Sequence, residues 1–563
     1  MADASPFPAR TAGKVLVDQL LIHGADTAFC VPGESYLEVL DALHDVANRF
    51  KLYNARHEAG AANMAEAYGK LTGKPGICMV TRGPGACHAA IGVHIAQQDS
   101  TPMILLIGQV ARDMTDREAF QEVDYRAMFG GLAKWVAQID CPERVPEYMA
   151  RAFRVATSGR PGPVVLSLPE DMLTTVVEVA DARPYSATRA EVSAQSVKAL
   201  TDMLAQAERP LLLLGGSGWT DQAAADIQRF SEANGIPVTT SFRRQDAIDN
   251  RSQAYVGDFG TSTSGKLIQR LAEADVLVVL GARLGEMTTK GYTSLQPPHV
   301  RQQLIHVHQE ADEIGRVYGP DLGFAADMPE LAAALVGVDL GRREAWQEWA
   351  GSLRQEYLND TAPPEDQGWT LDMGQALCAI RDALPADTIV TLDAGNHTGW
   401  AQRYLRFGRP GREVGSTCGA MGYSVPAAVA AAVRHPDRLV LSMVGDGGFM
   451  MSGQELATAA QYGVAPIVLL FNNGMYGTIR MHQERDHPGR LSGTTLMNHD
   501  FCKMAEGYGC HAERVTRTED FAGALERARA AGKPAVLELI TDPEQISTRT
   551  TISRLRQAAA GAS

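Results

Sequence analysis

Asn473 stands 27 residues beyond Asp446, and each closes an apolar run. Asp446 lies in Gly445-Asp446-Gly447, directly after the run 439–444, and Asn473 ends Asn472-Asn473, directly after the run 464–471. Between them the pattern predicts a helix over 452–462, with Ser452 as N-cap and Gly463 as its stop. Strand, glycine turn, helix and strand make a parallel βαβ unit, which returns both strand ends to one edge of the sheet. Asp446 and Asn473 are therefore expected side by side. They would offer two oxygen ligands to a hard cation, beside glycines whose backbone can approach a phosphate. The chemistry of that arrangement is a magnesium–diphosphate site. Taken singly, Gly-Asp-Gly is also an ordinary turn and Asn-Asn an ordinary polar strand end; the pair at this spacing is what points to a ligand.

The elements that must position these residues follow from the rest of the chain. At 563 residues it exceeds one hydrophobic core, and three domains is the natural division. Strand-like and helix-like segments alternate almost throughout, which predicts an α/β fold of three doubly wound parallel-sheet domains. Two polar, proline-bearing stretches, 180–196 and 361–368, read as linkers. The expected domains are 1–185, 195–345 and 365–563. Expected buried strands are 51–55, 76–81 and 103–108 in the first domain, and 210–215, 276–281 and 303–308 in the second. The third has 388–392, 439–444, 467–471 and 535–540. A net charge of −14 without any basic run argues against nucleic acid and anionic membranes as partners. No apolar stretch approaches a membrane span. The first ten residues show no signal-peptide pattern, and the eight cysteines include no CxxC pair. Reduced thiols and a cytoplasmic location are expected.

Gly-Asp-Gly followed at this distance by Asn-Asn resembles the fingerprint of thiamine-diphosphate enzymes. The match runs nearly end to end and is closest to the acetolactate synthase and pyruvate decarboxylase group, above all the large catalytic subunit of acetolactate synthase. The resemblance implies that Asp446, the Asn473 side chain and the Met475 carbonyl hold magnesium. Gly445, Gly447, Gly448 and Tyr476 would line the diphosphate, and Asn396 and His397 align with residues touching it. Gly419-Ala420-Met421-Gly422 looks like the turn whose bulky residue, Met421, supports the two cofactor rings in a V. Thiamine diphosphate also needs a carboxyl group to act on its aminopyrimidine ring, set in a largely apolar pocket. Glu58, in Arg56-His57-Glu58 before an Ala/Gly-rich helix, matches that carboxylate; read locally, it is also a first-turn glutamate favoured by the helix dipole. Thr81-Arg82-Gly83-Pro84-Gly85 looks like the family's Gly-Pro-Gly turn. The segment 120–124, with Gln121, and the later Lys134 look like its substrate-side loop. Glu34 falls where pyruvate decarboxylases keep a catalytic aspartate that could relay protons. In this group the cofactor lies between two subunits, so the resemblance implies a homodimer or a dimer of dimers.

Other positions depart from the family. Paired histidines of the pyruvate decarboxylases are missing, and His88 stands alone. Met287 takes the place of the arginine that binds the second keto acid's carboxylate, and His482 that of a specificity tryptophan. In the middle domain Gly215-Gly216-Ser217-Gly218 looks like a nucleotide cradle, and Arg283 and Asp327 fall near family contacts for FAD, a possible further cofactor. Arg243-Arg244-Gln245 and His308-Gln309 differ from the flavin-binding pattern there. The expected function is decarboxylation of a 2-oxo acid followed by carboligation to a second keto acid or an aldehyde. The alternative is a non-oxidative 2-oxo-acid decarboxylase or a carbon–carbon lyase of the benzaldehyde lyase type. A nucleotide-dependent dehydrogenase built on the middle domain is the rival from another class, and a non-catalytic scaffold subunit a third. The tail from 547 to 563 reads equally as a lid or as disorder.

Overall fold

The structure is a computed structural model that describes residues 7–341 and 343–562. The N-terminal segment in which no signal peptide is read lies partly outside them, since Met1 to Pro6 are not described. Three six-stranded sheets, all parallel, carry the chain. Every strand expected from the apolar runs is present, within a residue or two of its expected ends. A fourth, two-stranded antiparallel ribbon pairs Ala9–Thr11 with Val176–Glu178.

The first sheet is ordered Lys51–Asn54, Thr27–Cys30, Gly76–Val80, Met103–Gln109, Pro163–Pro169, Trp135–Gln138. The third runs Glu413–Gly415, Ile389–Leu392, Val440–Gly445, Ile467–Asn472, Ala535–Ile540, His511–Val515. Numbered within each sheet, both read 2-1-3-4-6-5. The same topology therefore appears twice. The middle sheet, Tyr255–Asp258, Val238–Thr240, Pro210–Leu214, Val276–Leu280, Gln303–His308, Leu322–Ala325, follows the 3-2-1-4-5-6 order of dinucleotide-binding folds. The central strands are Val/Ile/Leu runs buried on both faces, as parallel sheets covered by helices require.

By contacts the chain forms two compact units. One holds residues 1–188 with 426–436 and 452–464; the other holds 189–425, 437–451 and 465–563. In the second unit the helix Glu344–Asp360 lays Trp346, Trp349, Leu353 and Tyr357 into the core of the middle sheet. Within that unit, ligands of doubly wound sheets bind where neighbouring strands send their connections to opposite sides. In the third sheet that point lies between Ile389–Leu392 and Val440–Gly445.

Candidate active site

Two corrections concern the connection that carries Asp446. No glycine turn separates strand from helix: the strand Val440–Gly445 runs straight into the helix Asp446–Ser452, so Asp446 is the first helical residue. Ser452 ends that helix instead of capping the next, Glu455–Tyr462, which Gly463 stops in a left-handed conformation. Asp446 is buried, and its Oδ1 accepts the Gly447 N–H at 2.8 Å. Its Oδ2 accepts the Gly474 N–H at 2.8 Å and the Asn498 amide at 2.7 Å. Gly474 directly follows Asn473, so the tips of the two neighbouring strands are tied together through this carboxylate. Asn473 Oδ1 accepts the Met475 N–H at 3.2 Å, which turns the chain there. Burial raises the Asp446 pKa against the opposing pull of its donors. A buried carboxylate gathered by N–H donors is stabilised further by a cation.

The glycines after Asp446 admit close packing by neighbouring side chains. A Cβ on Gly447 would lie 2.5 Å from the Tyr476 ring, and one on Gly448 2.7 Å from Asp393 Oδ1. His397 packs its ring on Phe471 with centroids 5.3 Å apart, beside Gly445. Its Nε2 is buried and has no hydrogen-bond partner among the described residues. Burial, with the nearby charge of Arg243, pushes its pKa down to about 3. A neutral imidazole carries a single proton, and the Met443 backbone competes for it. The donor set around Asp446 fits a magnesium diphosphate. Asn396 fits less well: its amide is spent on the Ile546 carbonyl at 2.8 Å, and its Oδ1 accepts from Thr478 at 3.1 Å.

Met421 is 37 % exposed in a turn that Gly419 and Gly422 enter at positive φ. That turn is anchored by Asp393, a residue the sequence reading did not single out. Wholly buried, Asp393 accepts the N–H groups of Gly422 and Ser424 at 3.0 Å and that of Ala394 at 2.9 Å. Arg243 in turn grips the carbonyls of Asp393, Leu392 and Ser416. Tyr476 takes the Thr494 carbonyl at 2.9 Å and opens the helix Gly477–Asp486, with Met475 buried beneath it.

In the other unit Glu58 is the first residue of the helix Glu58–Thr72, capped by the His57 ring, which accepts the Ala59 N–H at 3.1 Å. Its pocket is more polar than expected. Glu58 Oε2 and His88 Nδ1 share a hydrogen bond at 2.9 Å, and the rings of His57 and His88 stack at 4.4 Å. These three residues are close enough to suggest a metal cluster. His57 Nδ1 is occupied as the cap of the helix, and His88 Nδ1 lies against Glu58. Glu455, also missed, is buried and accepts the N–H groups of Arg56 and His57 at 3.0–3.1 Å, so it sets the turn that delivers Glu58. Glu34 is mostly exposed and pairs with Arg82 at 3.2 Å, while Arg82 also holds Glu170. Gln121 adopts a left-handed φ of 65°, and its backbone packs on Gly83. Lys134 is not a substrate-side residue: its ammonium caps the carbonyls of Val155, Ser158 and Arg160.

The middle-domain residues expected near a flavin are engaged elsewhere. Gln309 bonds Ser217 and abuts Gly218, Arg283 pairs with Glu313, and Asp327 accepts the Ala190 N–H. Of the tail, read equally as a lid or as disorder, the described part forms the helix Ile552–Ala562, packed on Gly477–Asp486, with Arg556 bound through two nitrogens to the buried Glu484. All eight cysteines are free thiols, and no described helix is long and apolar enough to cross a membrane.

A doubled 2-1-3-4-6-5 sheet, a dinucleotide-type sheet between, and an Asp–Asn pair on adjacent strand tips define a three-domain diphosphate-cofactor enzyme. Comparison with known families agrees. Residues 10–128, 197–335 and 393–539 match, in turn, the thiamine pyrophosphate enzyme N-terminal TPP binding domain, central domain and C-terminal TPP binding domain. The chain is 32% identical to the acetolactate synthase large subunit of Parasynechococcus marenigrum, covering 93% of this chain and 87% of that one. It is 32% identical to the acetolactate synthase isozyme 2 large subunit of Escherichia coli, covering 94% and 95%. It is 30% identical to a probable acetolactate synthase large subunit of Methanocaldococcus jannaschii, covering 94% and 92%. The chain belongs to the thiamine pyrophosphate enzyme family, in the company of acetolactate synthase large subunits.

Proposed function

We infer that this enzyme decarboxylates a 2-oxo acid and joins the remaining fragment to a second carbonyl compound, using thiamine diphosphate and magnesium. When bound, thiamine diphosphate supplies a nucleophilic carbon and an electron sink for the decarboxylated donor. The chain's residues do the rest. Asp446, Asn473 and the Met475 carbonyl offer oxygens to the magnesium, and the backbone of Gly447 and Gly448 would line the diphosphate. His397 borders it, Met421 supports the rings, and Glu58 holds the proton on the aminopyrimidine. The observation that carries this reading is the Asp446 carboxylate bound across two neighbouring strand tips, on the strand that borders the point where the third sheet reverses its winding.

Carboligation is supported by the named relatives. The second reading, decarboxylation or carbon–carbon cleavage without an acceptor acid, is favoured by Met287. It is 40% exposed and carries no charge where an acceptor carboxylate would need one. Product analysis with pyruvate alone, and with pyruvate plus an aldehyde, separates the two. Acetolactate or a mixed acyloin supports ligation, whereas acetaldehyde as sole product overturns it. The active assembly is proposed as a homodimer or a dimer of dimers in which Glu58 of one chain serves Asp446 of another. The free thiols suit a reducing cytoplasm. Flavin has no part in this reading, so the purified protein should show no flavin absorbance, and a stoichiometric flavin band would reverse that statement.

A further inference from the structure

We propose that His88 is the positioning residue of Glu58: it fixes the carboxylate and exchanges its proton with solvent. The proposal rests on the reading of Glu58 as the cofactor's carboxylate and adds to it the route by which that carboxylate is charged. His88 comes from the helix Pro84–Asp99, which opens on the Gly83-Pro84 turn. Its Nδ1 lies 2.9 Å from Glu58 Oε2, while the opposite side of the same carboxylate faces Gly85, whose added Cβ would sit 3.6 Å from Oε1. One oxygen is thus paired with the histidine, and the other lies next to a glycine.

The surroundings leave His88 as the proton donor. Four titratable groups face Glu58: His57 from the turn before its helix, His88, Tyr36 from the short helix Glu34–Tyr36, and Cys78 from the strand Gly76–Val80. Burial holds the Tyr36 phenol and the Cys78 thiol protonated. The His57 Nδ1 accepts the Ala59 N–H, and its ring serves as the platform on which His88 stacks. In the single chain the His88 side chain is 51% exposed and that of Glu58 15% exposed, so the histidine lies on the outer side of a shielded carboxylate. Histidine is the side chain suited to proton exchange near neutral pH. The step balances simply. A proton from hydronium or a buffer acid enters at Nε2 as the Nδ1 proton passes to Oε2; the reverse discharges the carboxyl, and no other bond changes.

The test compares His88→Ala and His88→Gln with wild type, all with thiamine diphosphate and magnesium. His88→Ala is expected to lower kcat roughly ten- to a hundredfold at little-changed KM, with added imidazole restoring much of the loss. His88→Gln keeps a hydrogen bond but relays no proton, so it should show the kcat loss without imidazole rescue. Calorimetry in two buffers of different ionisation enthalpy gives a readout independent of turnover. Both variants should bind thiamine diphosphate nearly as tightly as wild type, with fewer protons taken up on binding. Wild-type kcat and pH profile in His88→Ala would overturn the proposal. So would a kcat loss that tracks lost affinity and resists imidazole. A wild-type chain that binds no thiamine diphosphate would instead remove the underlying reading of Glu58.

Discussion

At the residue scale the account depends on a few oxygens and on glycines that keep space clear. Glu58→Gln should leave the fold intact by circular dichroism while lowering kcat roughly a hundred- to ten-thousandfold, the usual weight of a general acid–base group. Gly447→Ala would drive a methyl group into the Tyr476 ring. Its expected result is weaker thiamine-diphosphate binding at unchanged melting temperature, read by fluorescence titration; unchanged affinity would show that Tyr476 yields freely. Sequence made some of these residues legible and hid others for physical reasons. Asp446, Asn473 and Glu58 stand out in the sequence because oxygen ligands and a cofactor carboxylate would need particular residue types at particular spacings. Asp393 and Glu455 do not, because a buried carboxylate that bonds backbone N–H groups has no fixed spacing to what it holds. Lys134 misled, since a lysine that caps a helix end is indistinguishable in one dimension from one that meets a substrate.

At the scale of elements, the loop from Arg243 to Asp246 joins the middle sheet to the third. The Gln245 N–H binds Glu413 Oε2 at 2.7 Å, and Asp246 Oδ2 accepts the N–H groups of Arg412 and Glu413. Burial, followed by the charge of Asp246, raises Glu413 to about 8, and burial raises Asp258 to about 7. Folded pKa values above the unfolded ones mean that the folded state favours the protonated carboxyls. Their contribution is full below the unfolded values near 4 and is lost as pH rises through 7 to 8. The melting temperature should therefore fall by several degrees between pH 6 and pH 9, and Glu413→Gln should flatten that slope. An equal slope in the variant would place the titration elsewhere. The strands were legible here because buried parallel strands are continuous apolar runs. The helix start at Asp446 was not, since a catalytic aspartate and a first-turn aspartate look alike in sequence.

At the scale of the whole molecule, the two compact units carry complementary halves of the proposed chemistry: Glu58 in one, Asp446 and Asn473 in the other. If partner chains complete each site, co-expressed Glu58→Gln and Asp446→Ala chains should regain activity that neither has alone. Random pairing gives about a quarter of wild type, since half the dimers are mixed and each mixed dimer holds one intact site. No recovery in isolated mixed dimers would assign both halves to one chain. The central claim is tested most directly by titrating thiamine diphosphate into metal-free protein with and without magnesium. Wild type should bind only with magnesium, and Asp446→Ala should bind about a hundredfold more weakly or not at all. Tight binding by the variant, or wild-type binding indifferent to magnesium, would contradict the account.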